Sequence, residues 1–298
     1  MGIVLQNEKC KKRRYMKHLL TIESYRAWES FGIDKGFQTI KEAGFDGLDL
    51  SFYWKAAPAL CGDDYKEKAL EIKNALAKHG LSCTQAHAPF DFLYGMKQDD
   101  SCFEYLSIKR AIEACGIIGI DHIVVHGVKV PAPACSRMNM EYNYNYYKTF
   151  EPLCKKFGVK IAVENLMASF TYPDLLNDIL KQLDSPYFVG LVDGGHAWLR
   201  GGIQPAEFIR QMDKGVVKGL HIQDTHGMEL GVDEHLVPYM ANIDFADLIK
   251  ALKEYGYDGE FTMECPRFLE FYAKHDLLAP ALTFAQAVGR KLVNELND

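Results

Sequence analysis

A repeated phrase constrains the fold most: a helical stretch ends at a glycine, and a short apolar run follows. It occurs as EAGFDGLDL, KHGLSCTQAH, KFGVKIAVEN and EYGYDGEFTME. Glycine adopts the left-handed conformation that ends helices, and a short apolar run bounded by turn residues predicts a buried strand. Strands that alternate with helices pair in parallel through right-handed crossovers. The phrase therefore predicts an α/β protein built on a parallel sheet.

The apolar runs number eight along the chain. They predict strands at 18–24, 45–52, 81–88, 121–127, 159–165, 187–193, 216–224 and 259–265. Helical spacing fills intervals between them, as at 65–80, 107–119 and 244–256, where Asp244 is a suitable N-cap. Eight such units predict a single-domain (β/α)8 TIM barrel. The rival is an open doubly wound sheet, which is disfavoured in its nucleotide-binding form because no GxGxxG follows the first strand.

We place the barrel at 17–298 and expect 1–16 to be a flexible tail, with Met16 a candidate natural start. The stretch 128–148 is expected to be a loop over the barrel mouth. The eight cysteines are scattered with no CxxC pair, which is typical of reduced thiols in a cytoplasmic protein. No apolar run is long enough to cross a membrane. The net charge of −6 argues against a large nucleic-acid surface, since phosphate contacts need clustered Lys and Arg.

Polar side chains recur where the predicted strands end, which is the face of a TIM barrel that carries the active site. Six consecutive strand ends and their loops hold His87, His126, Glu164, Asp193, His196, His221, Asp233, His235 and Glu264. A lone histidine is most often a hydrogen-bonded structural residue, so the prediction depends on the joint pattern. Carboxylates gathered near one axis repel unless a cation neutralises them. Nitrogen and oxygen ligands without thiolate suit Mn²⁺, Zn²⁺, Mg²⁺ or Co²⁺.

Six short motifs resemble one known superfamily. They are HAPF at 87–90, VENL at 163–166, VDGGH at 192–196, HIQD at 221–224, DEH at 233–235 and MECP at 263–266. Together and in this order they resemble the xylose isomerase-like barrels. That superfamily contains sugar and sugar-phosphate isomerases and epimerases, inosose dehydratases and three-zinc abasic-site endonucleases. The motifs therefore indicate the superfamily but not the substrate.

The resemblance implies different ligand sets in different branches. The epimerase branch implies a divalent metal held by Glu164, Asp193, His221 and Glu264. The endonuclease branch adds His87, His126, His196, Asp233 and His235, and all nine positions are filled. We therefore expect His87, His126, Asp233 and His235 to be additional metal ligands or polar lining. The stretches ESYRAWES and ENLMASF depart from the endonuclease pattern, and Tyr239 and Ala241 stand where glycines are usual after strand seven.

The function that the resemblance implies is a metal-dependent sugar or sugar-phosphate isomerase or epimerase, which transfers protons through a metal-bound enediolate. Glu164 and Glu264 would be its general bases and acids. The residues expected to bind the sugar or sugar phosphate are His196, Arg267, Trp54 and Trp198. Three alternatives stay open: an inosose dehydratase-type lyase, a three-zinc endonuclease, and a non-catalytic metal- and sugar-binding barrel. The sequence also leaves open whether copies of the chain form a homo-oligomer.

Overall fold

The structure is a computed structural model that describes residues 18–52, 58–90, 98–128, 130, 132–133, 135–166 and 170–298, with residues 58 and 59 described through their backbone alone. The expected tail 1–16 and Trp54 lie outside the described residues. In the part of the chain that is described, no helix is both long enough and apolar enough to span a bilayer.

All eight predicted strands are present. They are β1 Leu20–Ile22, β2 Leu50–Ser51, β3 Gln85–His87, β4 His122–Val125, β5 Lys160–Glu164, β6 Phe188–Asp193, β7 Val217–His221 and β8 Phe261–Met263. Strands β2 to β7 pair in chain order, and β1 pairs with β8. Every pair is parallel, as the alternation of strands and helices predicts.

Two isolated bridges close the strands into a barrel. Glu23 pairs with Asp49 and links β1 to β2, while Ile222 pairs with Met263 and links β7 to β8. The amide of Asp49 donates to the carbonyl of Ile22 at 2.9 Å, and the amide of Ile222 donates to the carbonyl of Thr262 at 2.8 Å. The spatial order of the strands is therefore their chain order around a closed ring. This confirms the TIM barrel and excludes the open doubly wound sheet.

Helices follow the strands around the outside. They are α1 Tyr25–Phe31, α2 Ile33–Ala43, α3 Pro58–Cys61, α4 Tyr65–His79, α5 Phe103–Ile118, α6 Arg137–Lys148, α7 Glu151–Phe157, α8 Pro173–Leu183, α9 Gly194–His196, α10 Pro205–Gln211, α11 Phe245–Tyr255, α12 Pro266–Ala273 and α13 Leu278–Asn297. A π-helical turn, Ala197–Gly201, continues α9, and Gly227–Glu229 is a 3-10 turn. Gly80 ends α4 at φ 62°, and the Asp244 side chain caps α11, as predicted.

The loop expected at 128–148 is wrong in its second half, which forms α6. The Ser136 hydroxyl oxygen accepts from the amide of Asn139 at 3.2 Å and caps the helix. The side chains of Met140, Asn143 and Tyr147 are buried on one face. The asparagines and tyrosines in this stretch have weak helix propensity, so tertiary packing outweighs the local preference.

Strand alternation separates two apolar layers. Every second strand residue faces the barrel axis, and Val124, Ala162, Val189 and Leu191 form a cluster apart from the main core. Their neighbours along the strands, such as Ile161 and Val163, pack with the outer helices in the main core. The inner cluster lies below the strand ends and forms an apolar floor for the polar residues that follow.

Candidate metal centre and substrate cavity

The four residues expected to bind metal in the epimerase branch lie at one end of the barrel. Glu164, Asp193 and His221 are the last residues of β5, β6 and β7, and Asp193 pairs in register with His221. Glu264 follows β8 by one residue. The alternation that buries Ala162 and Leu191 on the inner side also points Glu164 and Asp193 inward. Glu164, Asp193 and His221 are almost fully buried.

Glu164 lies at the centre of the histidines. Its Oε2 is 2.8 Å from Nε2 of His126 and 3.8 Å from Nε2 of His87. Its Oε1 is 3.2 Å from Nδ1 of His196 and 3.3 Å from Nδ1 of His221. Four imidazoles predicted from four different strand ends therefore meet at one carboxyl group.

A second carboxyl group, that of Glu264, faces the same histidine. Its Oε2 is 3.4 Å from Nδ1 of His221 and 3.4 Å from Nδ1 of His235. Asp233 connects His235 with His196, since its Oδ2 lies 3.0 Å from Nε2 of His235 and 3.3 Å from Nε2 of His196. The loop after β7 thus returns to the barrel mouth, as its sequence predicts.

Four overlapping groups among the described residues could each hold an ion, since one ligand atom from each member lies within 4.8 Å of the others. The groups are His87, His126 and Glu164; His196, Asp233 and His235; Glu164, Asp193 and His196; and Asp193, His221 and Glu264. The structure therefore brings all nine predicted positions together. Their assignment as ligands remains a prediction.

Three buried atoms in this cluster indicate whether its residues suit a cation. Oε2 of Glu164, Oε2 of Glu264 and Nδ1 of His196 are buried and have no hydrogen-bond partner among the described residues. The short approach of His126 to Glu164 lacks hydrogen-bond geometry. A buried polar atom without a partner costs about 1–3 kcal/mol, and more when charged. Cations held by the groups that contain Glu164, Glu264 and His196 would give these atoms partners, so the residues present fit a metal with nitrogen and oxygen ligands.

The charges in the cluster shift the pKa values of its members. Burial opposes protonation of His196 and His221, but the surrounding carboxylates outweigh it and raise both pKa values well above the usual range. Burial also opposes ionisation of Glu164, yet His126, His196 and His221 hold its pKa well below the usual range. Burial raises the pKa of Glu264 despite His221 and His235. The carboxylates thus attract positive charge, which protons or a metal can supply.

Metal affinity is expected to rise with pH up to about 9. Burial alone would lower the pKa of His235, but Glu264 and Asp233 raise it to about 9. A histidine must lose its proton to bind metal, and each proton released makes affinity about tenfold tighter per pH unit below the pKa. Calorimetric titration of Zn²⁺ between pH 6 and 9, in buffers of different ionisation enthalpy, measures both the slope and the protons released.

The matched control for this experiment is His226, which lies in the same loop but pairs with Glu234 at 3.0 Å. His235→Gln should reduce the slope above pH 7 but not abolish it, because the pKa values of His196 and His221 are also raised. His226→Gln should leave the slope as in the wild type. A wild-type affinity that levels off near pH 7, as for an ordinary imidazole, would contradict the raised pKa of His235.

Asp49 supports His221 and is not among the residues singled out from the sequence. Nε2 of His221 lies 3.2 Å from Oδ2 of Asp49, and Nε2 of Gln85 donates to the same oxygen at 2.7 Å. Nε2 of His122 lies 3.1 Å from the amide oxygen of Gln85 and extends the network. With Nε2–H directed at Asp49, the Nδ1 lone pair of His221 faces Glu164 and Glu264. The sequence signal was a single aspartate within an apolar run.

The loop after β7 has a tyrosine at a position where related barrels usually have glycine, as the sequence indicates. Tyr239 has φ 72°, in the left-handed region that side chains other than glycine rarely adopt. Its hydroxyl lies 3.0 Å from Nζ of Lys291. Asp224, buried beneath the loop, accepts from the amides of Ala241 at 2.8 Å and Ile243 at 3.1 Å. These contacts hold the tyrosine in a conformation that it would otherwise avoid.

A cavity of about 340 Å³ opens onto the cluster, a volume at the lower end of small-molecule sites. Its described lining includes His87, Asp233, His235 and Glu264 from the cluster. Glu23, Phe90, Arg26, Arg267 and Glu270 also line it. A small organic molecule in this space would therefore contact the predicted ligands directly.

The residues expected to bind the sugar have different positions. Arg267 is exposed and lines the cavity. His196 lies inside the ligand cluster. Trp198 packs so closely on Gly227 that a Cβ there would be 2.4 Å from its ring, and it is not among the described residues that line the cavity. Trp54 lies outside the described part of the chain. The binding roles of all four remain predictions.

Four other histidines lie away from the cluster. His18 stacks on Tyr257, and His275 contacts the ring of Phe271. His79 lies 2.8 Å from Asp34 on the surface. His122 lies at the start of β4, and only its contact with Gln85 connects it indirectly to the cluster.

Comparison with known proteins gives one family. Residues 37–291 match the family described as xylose isomerase-like TIM barrel. An uncharacterized protein of Methanocaldococcus jannaschii is 29% identical over 190 residues, which are 60% of this chain and 62% of that protein. The match therefore spans less than two thirds of that relative's length.

Solved structures give the same fold. The IOLI protein with a bound zinc atom superposes with a TM-score of 0.74 at 17% identity over 93% of this chain and 98% of its own. A D-tagatose 3-epimerase-like protein gives 0.67 at 22% identity over 90% and 98%. A 3-keto-D-glucoside 4-epimerase of E. coli gives 0.67 at 18% identity over 91% and 99%. At these identities the likeness establishes the fold.

Proposed function

Because the chain belongs to the xylose isomerase-like TIM-barrel family, we propose that it is a divalent-metal-dependent sugar isomerase or epimerase. Glu164, Asp193, His221 and Glu264 would hold the ion, and Glu164 and Glu264 would exchange protons with the sugar. Several structural neighbours are named as sugar epimerases, and a zinc atom is bound in another. These names agree with the proposal.

One observation carries the proposal: two carboxyl groups flank one imidazole nitrogen, and one of them, that of Glu264, lines the cavity. Nδ1 of His221 is 3.3 Å from Oε1 of Glu164 and 3.4 Å from Oε2 of Glu264. Epimerisation needs one group to take a proton from a carbon and another to return a proton to the opposite face. A barrel that only binds a sugar would not need both carboxyl groups, so the arrangement favours turnover over sensing.

The protein groups divide the proton transfer between them. When bound, the ion acts as a Lewis acid that polarises the substrate carbonyl. Ionised Glu164 takes the proton from the neighbouring carbon, which gives an enediolate. Burial raises the pKa of Glu264, which favours its protonated form, and Glu264 would donate that proton to the opposite face. When the surroundings of two carboxyl groups give them different pKa values, the group with the higher pKa serves as the acid and the other serves as the base. The reverse reaction exchanges their roles.

A substrate panel tests this proposal. Protein loaded with Mn²⁺, Zn²⁺, Mg²⁺ or Co²⁺ would be incubated with ketoses, their phosphates and inosose, and products followed by NMR. We expect one ketose to convert to its epimer or aldose isomer, and conversion to stop after chelation. Dehydration of inosose alone would move the assignment to a lyase. Absence of conversion with every metal would contradict the proposal.

The second candidate is a three-zinc abasic-site endonuclease, which the assembly of all nine positions favours. In such an enzyme Glu164 would bridge two ions with its two oxygens. One ion would also be bound by His87 and His126, and the other by Asp193 and His196. Glu164 would then be unavailable as a base. The net charge of −6 and the carboxylates around the cavity oppose binding of duplex DNA. Metal analysis of the purified protein distinguishes one bound ion per chain from three. Nicking of duplex DNA that contains an abasic site would show that the protein is an endonuclease.

A further inference from the structure

The side of the cavity next to β1 carries a carboxyl group that the metal set and the proposed proton transfer leave unused. Glu23 follows β1, is 4% exposed, and lines the cavity. Its Oε2 accepts from the amide of Tyr25 at 2.7 Å. Its Oε1 is buried and has no hydrogen-bond partner among the residues that the structure describes. One oxygen is therefore fixed by the backbone, and the other is unsatisfied.

The arginine nearest in sequence does not neutralise this carboxyl group. Arg26 also lines the cavity, but its NH1 lies 2.9 Å from Glu29 and its NH2 lies 2.5 Å from Glu270. Within the described chain, Glu23 has no ion pair. A buried carboxyl oxygen left without a donor or acceptor is costly, and a ligand in the cavity can supply the missing partner.

We propose that Glu23 is a further substrate-binding residue, whose Oε1 forms a hydrogen bond with a hydroxyl group of an unphosphorylated sugar in the cavity. The inference rests on the proposed function, since it assumes that this cavity receives the sugar.

A hydroxyl group is the partner that suits Glu23 in both protonation states. A carboxylate accepts from a hydroxyl group, and a carboxylic acid donates to one. Burial raises the pKa of Glu23 to about 7, helped by Glu264 and Asp49 and opposed by the Tyr25 amide and Arg26. Both states are therefore populated near neutral pH, and a hydroxyl can rotate to match either of them.

A phosphate group suits this wall poorly. Glu23, Asp233 and Glu264 are among the lining residues, and their charges repel a dianion unless bound cations neutralise them. With Arg26 paired twice, Arg267 is the remaining guanidinium among the described lining residues. Charge around the cavity therefore favours a neutral ligand next to Glu23.

The test compares variants of Glu23 with a matched control. Glu260 precedes β8 at the opposite end of the barrel, also has a raised pKa, and also has one buried oxygen without a partner in the described chain. Metal-loaded full-length wild type, Glu23→Met, Glu23→Gln and Glu260→Gln would be titrated with D-fructose, D-tagatose and D-psicose and with the 6-phosphate of each. Binding is followed by ligand-observed NMR, and turnover is measured in parallel.

We expect wild type and Glu260→Gln to bind at least one free ketohexose, and to bind it more tightly than its phosphate. Glu23→Met should bind that sugar at least about tenfold more weakly at unchanged metal content, the scale of a lost hydrogen bond that leaves a polar group unpaired. Glu23→Gln keeps the hydrogen bond but loses the charge. It should stay within a few-fold of wild type for the free sugar and bind the phosphate relatively better.

Each other result has a definite meaning. Equal sugar affinity in wild type and a folded Glu23→Met overturns the role of Glu23 while the proposed function stands. If Glu23→Met does not fold, an unchanged preference for free over phosphorylated sugar in Glu23→Gln overturns it instead. Binding by wild type without interconversion of any sugar overturns the proposed function, and the affinities still decide on Glu23. Absence of both binding and turnover overturns both.

Discussion

Replacing Glu264 by glutamine is expected to lower kcat by a factor of about 10² to 10⁴, the usual contribution of a positioned acid or base. Oε2 of Glu264 lies 3.4 Å from Nδ1 of His221, and Glu264 lines the cavity. An amide keeps the shape and one ligand oxygen but cannot exchange a proton with a carbon. The measurement is kcat and KM for the sugar found in the panel, with metal content determined on the same samples.

The matched control for this variant is Glu260→Gln. Glu260 and Glu264 flank the same strand at opposite ends, and Glu260 contacts Ser82, with an Oγ–Oε1 distance of 2.8 Å, rather than the metal cluster. Its kcat should stay within a few-fold of wild type. A Glu264→Gln protein that retains its metal and its full kcat would show that Glu264 is a ligand only, and the proton transfer proposed for it would be wrong.

Replacing Asp49 by asparagine is expected to weaken metal binding about 10- to 100-fold, the usual effect of removing the partner that orients a histidine ligand. The Asp49 carboxylate accepts from Nε2 of His221 at 3.2 Å. An asparagine can turn its NH₂ group towards that nitrogen, which favours the tautomer with the proton on Nδ1. Because Nδ1 is the atom that faces Glu164 and Glu264, the imidazole would lose its lone pair where the ion needs it. Competition with a chelator for Zn²⁺ or Mn²⁺ measures the loss.

Asp121 provides the control for Asp49. It contacts His122 at the outer end of the same network, with a distance of 3.2 Å from Nδ1, and its side chain is half exposed. Asp121→Asn should bind metal as tightly as wild type. If a folded Asp49→Asn protein also binds metal with wild-type affinity, then Asp49 does not orient His221.

The strands and the ligand end of the barrel were predictable because their signals are local. A glycine that ends each helix and an apolar run after it specify a βα unit, and parallel units place their strand ends on one face. The positions of Glu164, Asp193 and His221 at the ends of β5, β6 and β7 therefore follow from the sequence pattern alone. Even the unusual loop was visible, since Tyr239 stands where a glycine would adopt positive φ without strain.

The roles inferred for Asp49 and Glu23 were not predictable for the opposite reason. Each is a single carboxylate, Glu23 directly after β1 and Asp49 directly before β2. Their roles depend on barrel closure, which brings β1 against β8 and sets Asp49 across the axis from His221, 172 residues further along the chain. The sequence pattern led us to predict ligands at the ends of β3 to β8, because the histidines and the short motifs occur there. Trp198 shows that a position near a strand end is not sufficient, since it is not among the described residues that line the cavity.

Exchange of a carbon-bound hydrogen with solvent tests the central claim most directly. Metal-loaded wild type would be incubated in D₂O with the free ketohexoses, and deuterium at the carbon next to the carbonyl followed by NMR. We predict incorporation by the wild type, and its loss after chelation and in Glu264→Gln. If no ketohexose exchanges hydrogen while abasic-site duplex DNA is nicked by the same preparation, the protein is not a sugar isomerase or epimerase and the proposed function is wrong.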